Sequence, residues 1–204
     1  MSKITKIEPQ VKNKDRVNIY LDGEFKLGCS LELAMLNHLK NDVEISDEQL
    51  EQLVFENEKT QALNKAVTLL GKNLKTRRQM RTYLNDKGYS KTIVDYVLEK
   101  LSEYNYINDI NYAKIYIRSV KNKYGKVKII ANLRQKGVSD KDIDEVMQEF
   151  ESDTDSIMAL AQKYMKNKEV NQDNVAKLYR HLLSKGFGYD EVNSVVREIK
   201  EKLC

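Results

Sequence analysis

The sequence predicts a mostly α-helical protein: three tandem three-helix repeats in an elongated array, preceded by a small N-terminal β-hairpin and helix module. Three observations lead there. Proline occurs once, at Pro9, in a chain rich in Leu, Lys, Glu and Gln, a composition that favours helix. Period-two hydrophobic alternation is confined to the N-terminal end. Beyond it, a motif of Leu-x-x-Lys-Gly and an apolar residue returns at a constant interval of 49 residues.

In chain order, Val17, Ile19 and Leu21 alternate with polar residues, Asp22-Gly23 follows, and Phe25, Leu27 and Cys29 alternate again. This is the pattern of a hairpin closed by two residues that accept positive φ. Ile4 to Val11 supplies a third strand, and Pro9, which has no N–H to donate, predicts an edge position for it. Ser30 opens a short helix to about Asn37, and Ser46-Asp-Glu-Gln49 is a capping box for another.

The repeated motif occurs as Leu84-Lys87-Gly88-Tyr89, Leu133-Lys136-Gly137-Val138 and Leu182-Lys185-Gly186-Phe187. Flanking positions in register are apolar in all three copies: Met80, Ile129 and Leu178 before the Lys, and Val94, Ile143 and Val192 after it. Val97, Val146 and Val195, then Leu98, Met147 and Val196, then Leu101, Phe150 and Ile199 complete the i, i+3, i+4, i+7 stripe of a buried helix face. Gly just past a helix end takes the left-handed cap position, and Lys in the last turn complements the helix dipole, so these lysines are caps first. Ser90 and Ser139 fall at the next N-caps, and Thr76-Arg-Arg-Gln79 is a further capping box. The expected helices are 60–72, 76–87 and 90–104, then 109–122, 126–136 and 140–151, then 155–167, 172–185 and 189–202. The corresponding modules are 1–58, 59–106, 107–152 and 153–204, an architecture of tandem units.

Net charge is +4 but unevenly placed. Residues 59–137 hold 18 Lys and Arg against 5 Asp and Glu, a net +13, which leaves −9 for the rest. Such asymmetry is the footprint of a polyanion partner, against the plainer reading of a solvated basic face. The candidate contacts are Lys72, Lys75, Arg77, Arg78 and Arg81 in the first repeat, and Lys114, Arg118, Lys121, Lys126 and Lys128, with Lys123, in the second. Lys114, Arg118 and Lys121 share one helix face. Arg77, Arg78 and Arg81 crowd a helix start, where positive charge opposes the dipole and an anion would relieve it. Tyr104, Tyr106, Tyr112, Tyr116 and Tyr124 interleave with these cations. Such rings stack on unpaired bases or fill module cores, and for Tyr112 and Tyr116, at i, i+4 beside Ala113, packing is the favoured reading.

Catalysis has no residue set to carry it. His38 and His181 lack partners at metal-ligand spacing, Gly71-Lys72-Asn73 fails the phosphate-loop pattern, and no Gly-x-Ser-x-Gly occurs. The expectation is a non-enzyme that needs no cofactor or metal. Cys29 and Cys204 are far apart and form no disulfide framework, which suits a reduced cytoplasmic protein. The N-terminus reads as no signal peptide, and no window approaches the roughly 18 apolar residues of a membrane span.

The run Thr76-Arg-Arg-Gln-Met-Arg-Thr-Tyr-Leu-Asn-Asp-Lys-Gly-Tyr89, followed by Tyr106-Ile-Asn-Asp-Ile-Asn-Tyr-Ala113, resembles the core of the bacterial RecX family. Tyr124-Gly-Lys-Val-Lys-Ile-Ile-Ala-Asn-Leu-Arg-Gln-Lys-Gly137 resembles its second repeat. Thr76-Arg77 stands where the family has Ser-Arg, and Asn108-Asp109 where it has an acidic pair. The resemblance implies a monomeric regulator that lodges in the groove of the RecA–DNA filament, touches several protomers and slows growth or promotes disassembly. It would thereby depress strand exchange, ATP hydrolysis and repressor self-cleavage in the SOS response, with the named cations other than Lys123 meeting single- or double-stranded DNA through phosphates. Two alternatives stay open: a nucleic-acid-binding helical-repeat protein without RecA contact, and an adaptor for another acidic protein surface.

Overall fold

The structure is a computed structural model that describes residues 1–151 and 153–203. Its elements run β1 (Ser2–Pro9), β2 (Arg16–Leu21), β3 (Glu24–Ser30), α1 (Leu31–Leu36), β4 (Glu44–Ile45), α2 (Asp47–Leu70), α3 (Arg77–Asp86) and α4 (Lys91–Glu103). Then follow α5 (Asp109–Val120), α6 (Lys126–Lys136), α7 (Asp140–Met147), α8 (Thr154–Met165), α9 (Gln172–Ser184) and α10 (Tyr189–Leu203). They form two compact units. One holds residues 1–73 and 83–101, and the other begins with 74–82 and resumes at Ser102.

In the first unit, four antiparallel strands lie in the order β3-β2-β1-β4. The hairpin turn is as expected: Asp22 and Gly23 have φ of 51° and 91°, the two positive values that match the strands' twist. The expected edge position of β1 is corrected. It lies between β2 and β4, because Ser2 and Lys3 pair with Ile45 and Glu44. Pro9 is tolerated because it lies at the far end of β1, beyond the short β4 ladder. Ile4, Val17, Ile19 and Cys29 line the buried face of the sheet and pack with Ala34, Ile45 and Leu53. Ser30 caps α1 by accepting from the Leu33 N–H at 3.1 Å.

Ser46 and Gln49 form the expected capping box, but the helix they start does not stop before residue 60. One continuous helix, α2, spans 24 residues. The separate helix expected to begin at residue 60 is part of it, and the Thr60 hydroxyl donates to the Glu56 carbonyl one turn back at 3.0 Å. The buried Asn57 donates to the Gly28 carbonyl at 3.1 Å, which pins α2 against β3.

The repeated stripe is buried as its periodicity requires. Met80, Ile129, Leu178, Leu84, Leu133 and Leu182 are all 0% exposed. Val94, Ile143 and Val192 are buried with them, whereas Phe150 is half-buried because α7 ends at Met147, before the expected residue 151. The second and third repeats enclose separate cores, one built from α5–α7 and one from α8–α10. Gly88, Gly137 and Gly186 have φ of 83°, 93° and 86°, the left-handed cap positions read from the sequence. Cys29 is buried, burial pushes its thiol above the ordinary range, and Cys204 lies outside the described residues. Among the described residues no helix is long and apolar enough to cross a membrane.

Candidate nucleic-acid interface

The start of α3 carries three of the candidate arginines. Thr76 caps it: its hydroxyl accepts from the Gln79 N–H at 3.2 Å, and the Gln79 side chain accepts from the Thr76 N–H at 3.1 Å. The same hydroxyl donates to the Lys136 carbonyl at 2.6 Å. The backbone N–H of Arg77 donates to Asp109 Oδ1 at 2.8 Å, and its guanidinium donates to Ser102 Oγ at 2.7 Å. The anion expected at this helix start is therefore the protein's own carboxylate. Burial holds the Asp109 carboxyl above its ordinary pKa, against the lowering effect of the Arg77 N–H.

Arg78 is committed as well. Its guanidinium donates to the Arg134 carbonyl at 2.8 Å and to the Gln135 carbonyl. It thus satisfies the orphan carbonyls of the last turn of α6, at the negative end of that helix. Arg81 is half-buried and has an interaction partner. Arg77 and Arg78 thus join the first repeat's second helix to the second repeat, Arg78 while staying exposed.

The same joint occurs one repeat later. Gly125 stands 49 residues after Thr76, and Lys185 stands 49 after Lys136. The Gly125 N–H donates to the Lys185 carbonyl at 3.0 Å, and the Val127 N–H to the Gly186 carbonyl at 3.2 Å. A Cβ on Gly125 would overlap the Gly186 backbone, so only glycine permits this approach. The motif lysines lie over tyrosine rings, Lys87 over Tyr83 at 5.6 Å, Lys136 over Tyr116 at 5.3 Å and Lys185 over Tyr124 at 5.3 Å, which agrees with a capping and packing role.

Further exposed cations lie in the second repeat. Arg118 is exposed on α5 and Lys121 at its C-cap, with Lys114 half-buried beside the buried Ala113 and Ile117. Lys126 and Lys128 are exposed in the first turn of α6. That turn has no acidic residue and no side-chain cap, so two positive side chains oppose the positive end of the dipole. Lys72 is exposed in the other unit beside a cavity of about 270 Å³ with Lys65, Asn64, Thr68 and Tyr83; Lys75 is half-buried. Tyr112, Tyr116 and Tyr124 pack against the second repeat's core, and Tyr116 Oη accepts from Asn132 Nδ2 at 2.9 Å. Sequence reasoning missed Asp109 as the internal anion and Gly125 as a contact residue. The 49-residue interval that relates Gly125 to Thr76 was the available signal for the second.

Comparison with known proteins accords with this architecture. Family models match in chain order: Regulatory protein RecX N-terminal domain at residues 2–46, and RecX first, second and third three-helix domains at 62–101, 108–147 and 151–196. The Regulatory protein RecX of Clostridium botulinum (strain Eklund 17B / Type B) is 36% identical over 204 residues, which cover 97% of this chain and 96% of that one. That of Clostridium acetobutylicum is 32% identical, over 96% and 95% of the two chains. A crystal structure of regulatory protein RecX superposes with a TM-score of 0.75 at 26% identity, over 97% of this chain and all of that one. RecX from Lactobacillus salivarius, at 24% identity and a TM-score of 0.65, shares the fold over 71% of this chain and 98% of its own. The chain belongs to the RecX family of regulatory proteins.

Proposed function

We propose that this chain is a cytoplasmic, monomeric regulator that binds the RecA–DNA filament and inhibits its recombinase, ATPase and coprotease activities by occupancy, with no catalysis of its own. The observation that carries the reading is a set of exposed cations in the second repeat, Arg118 and Lys121 at the end of α5 and Lys126 and Lys128 in an α6 first turn without an acidic residue, in a chain of this regulatory family. Arg118, Lys121, Lys126 and Lys128 are its principal DNA contacts, with Lys72 and Lys114 contributing. Tandem modules suit a filament because several weak contacts on one chain gain by effective concentration. Phosphate contacts release counterions, so affinity falls with salt by a log–log slope of about 0.9 per contact on duplex DNA.

The test is inhibition of RecA ATPase on single-stranded DNA by the intact chain. The wild type inhibits, and the Lys121→Glu, Lys126→Glu, Lys128→Glu triple variant inhibits weakly, with a shallower salt dependence. Inhibition by the variant equal to that of the wild type removes α6 from the contact, and a wild type without effect removes the RecA reading. The net +13 of residues 59–137 also favours a second reading, nucleic-acid binding without RecA contact. That reading has DNA affinity unchanged by RecA.

A further inference from the structure

The second half of α2 and the segment after it carry charge of one sign. From Lys59 to Lys75 the chain has Lys59, Lys65, Lys72 and Lys75 and no acidic residue. Lys65 lies before the last turn of α2, so it does not serve as a cation answering the helix dipole. Among the described residues neither Lys65, Lys72 nor Lys87 is ion-paired.

Two of these lysines line one cavity. Asn64, Lys65, Thr68, Leu69 and Lys72, with Tyr83 from α3, enclose about 270 Å³, and no acidic side chain lines it. The one acid between Tyr83 and Lys91 is Asp86, exposed at the end of α3, against Lys65, Lys72 and Lys87. Two of the three ammonium groups are held on aromatic rings. Lys65 Nζ lies 5.2 Å from the centre of the Tyr89 ring, and Lys87 Nζ lies 5.6 Å from that of Tyr83, which lines the cavity. A ring face restrains an ammonium by its quadrupole and supplies no acceptor oxygen, so N–H donors remain for an anion. The Asn64 amide and the Tyr83 phenol add neutral donors. The Thr68 hydroxyl is already committed to the Asn64 carbonyl at 2.8 Å.

A hollow with this donor set and no carboxylate fits a compact oxyanion. Its size admits a phosphate group and excludes a helix. We propose that Lys65 and Lys72, with Asn64, Tyr83 and the flanking Lys87, bind a phosphate group in this cavity. The phosphate comes either from a nucleic-acid backbone or from a free phosphate. The backbone source rests on the nucleic-acid half of the function proposed above, and the site adds to it a contact in the first repeat, separate from the cations of the second.

The experiment uses the intact chain without RecA. Backbone amide resonances are followed by NMR as a short DNA duplex, inorganic phosphate or sodium chloride of equal ionic strength is added. Amides of residues 64–72 and 83–87 should shift with the duplex, with phosphate or with both, and not with chloride. Shifts with the duplex identify a backbone phosphate, and shifts with inorganic phosphate alone identify a free one. In the pair Lys65→Gln and Lys72→Gln these shifts should vanish. If the source is the backbone, the log–log salt slope of duplex binding should also become shallower by about 1.8, the share of two contacts. The pair Lys65→Arg and Lys72→Arg should keep the shifts and the slope. Adding Lys126→Gln and Lys128→Gln to the first pair should multiply the two losses of duplex affinity, as sites without shared partners do. Circular dichroism checks the fold of each variant, and the wild-type titrations depend on no variant. The proposal is overturned if neither duplex nor phosphate moves these amides, if chloride moves them equally, or if the glutamine pair keeps the shifts. Phosphate binding here by a chain that leaves RecA ATPase untouched would sink the RecA reading alone. Inhibition of RecA by a chain whose cavity amides stay still would sink this site alone.

Discussion

Asp109 is placed where its charge is useful to α3 and costly to itself. Its Oδ1 accepts from the Arg77 N–H, one of the donors a helix start leaves without an intrahelical partner. Burial nevertheless raises its pKa above the ordinary 3.8. A carboxyl whose folded pKa is raised binds its proton more tightly in the native state, so its cost to stability appears as pH rises from 3.8 through the folded value and is complete above it. Two substitutions separate acceptor from charge. Asp109→Asn keeps an acceptor oxygen and removes the ionisation, so thermal stability at neutral pH should equal or exceed the wild type and should not fall across that acidic window. Asp109→Ala removes the acceptor and should cost about 1 kcal/mol in urea unfolding, the usual loss for a helix cap. An Asn variant less stable than the Ala variant at neutral pH would refute this account. Nothing in the sequence paired Asp109 with a helix start 32 residues earlier.

At the scale of elements, the three Lys-Gly caps are alike in sequence and in backbone conformation but not in surroundings. A Cβ on Gly88 meets open space, on Gly137 it meets the Arg78 side chain, and on Gly186 it meets the backbone of Lys128. An alanine at any of them carries the strain of a left-handed residue, about 1–2 kcal/mol. Overlap with packed atoms adds about 1–3 kcal/mol more where the neighbour cannot give way. The expected order of destabilisation in urea is therefore Gly88→Ala, then Gly137→Ala, then Gly186→Ala. Equal losses at the three sites would show that the joints contribute nothing beyond the turn. The helix cap itself was legible from Lys-Gly and the 49-residue interval. The docking of the preceding repeat on it was not, because two backbones in close approach leave no side-chain pattern beyond the bare presence of Gly125. The continuity of α2 was missed because the expected helix 60–72 was taken to begin with the repeated pattern, whereas the capping box at Ser46 starts one helix that runs on to Leu70.

For the whole molecule, the chain folds as two compact units with a separate apolar core for the third repeat. Leu178 is 0% exposed at the centre of that core, and Leu178→Ala should cost about 2–5 kcal/mol through lost burial and the cavity left behind. The loss should fall on the third repeat first. Hydrogen exchange should accelerate in α8–α10 while protection in the N-terminal sheet stays as in the wild type, as expected when stability is held locally in tandem modules. Uniform loss of protection along the chain would mean that the protein unfolds as a single cooperative body.

By itself the sequence determined the secondary-structure plan: the hairpin turn, the capping boxes, the three helix-stopping glycines and the apolar stripe of every repeat. Each of these depends on residues within a turn or two of one another, where backbone sterics and hydrophobic period leave few options. It also determined where positive charge is concentrated along the chain. Only the tertiary structure decided which of those cations are consumed, because an arginine on a helix start looks the same in sequence whether it faces water, a phosphate or a carbonyl from 56 residues away. Arg77 and Arg78 are hydrogen-bonded to groups on other helices, and Lys126 and Lys128 are exposed in a first turn without an acidic residue. The physical reason is that burial and hydrogen-bond satisfaction are properties of positions brought together by the fold, and charge pattern along a chain does not encode them.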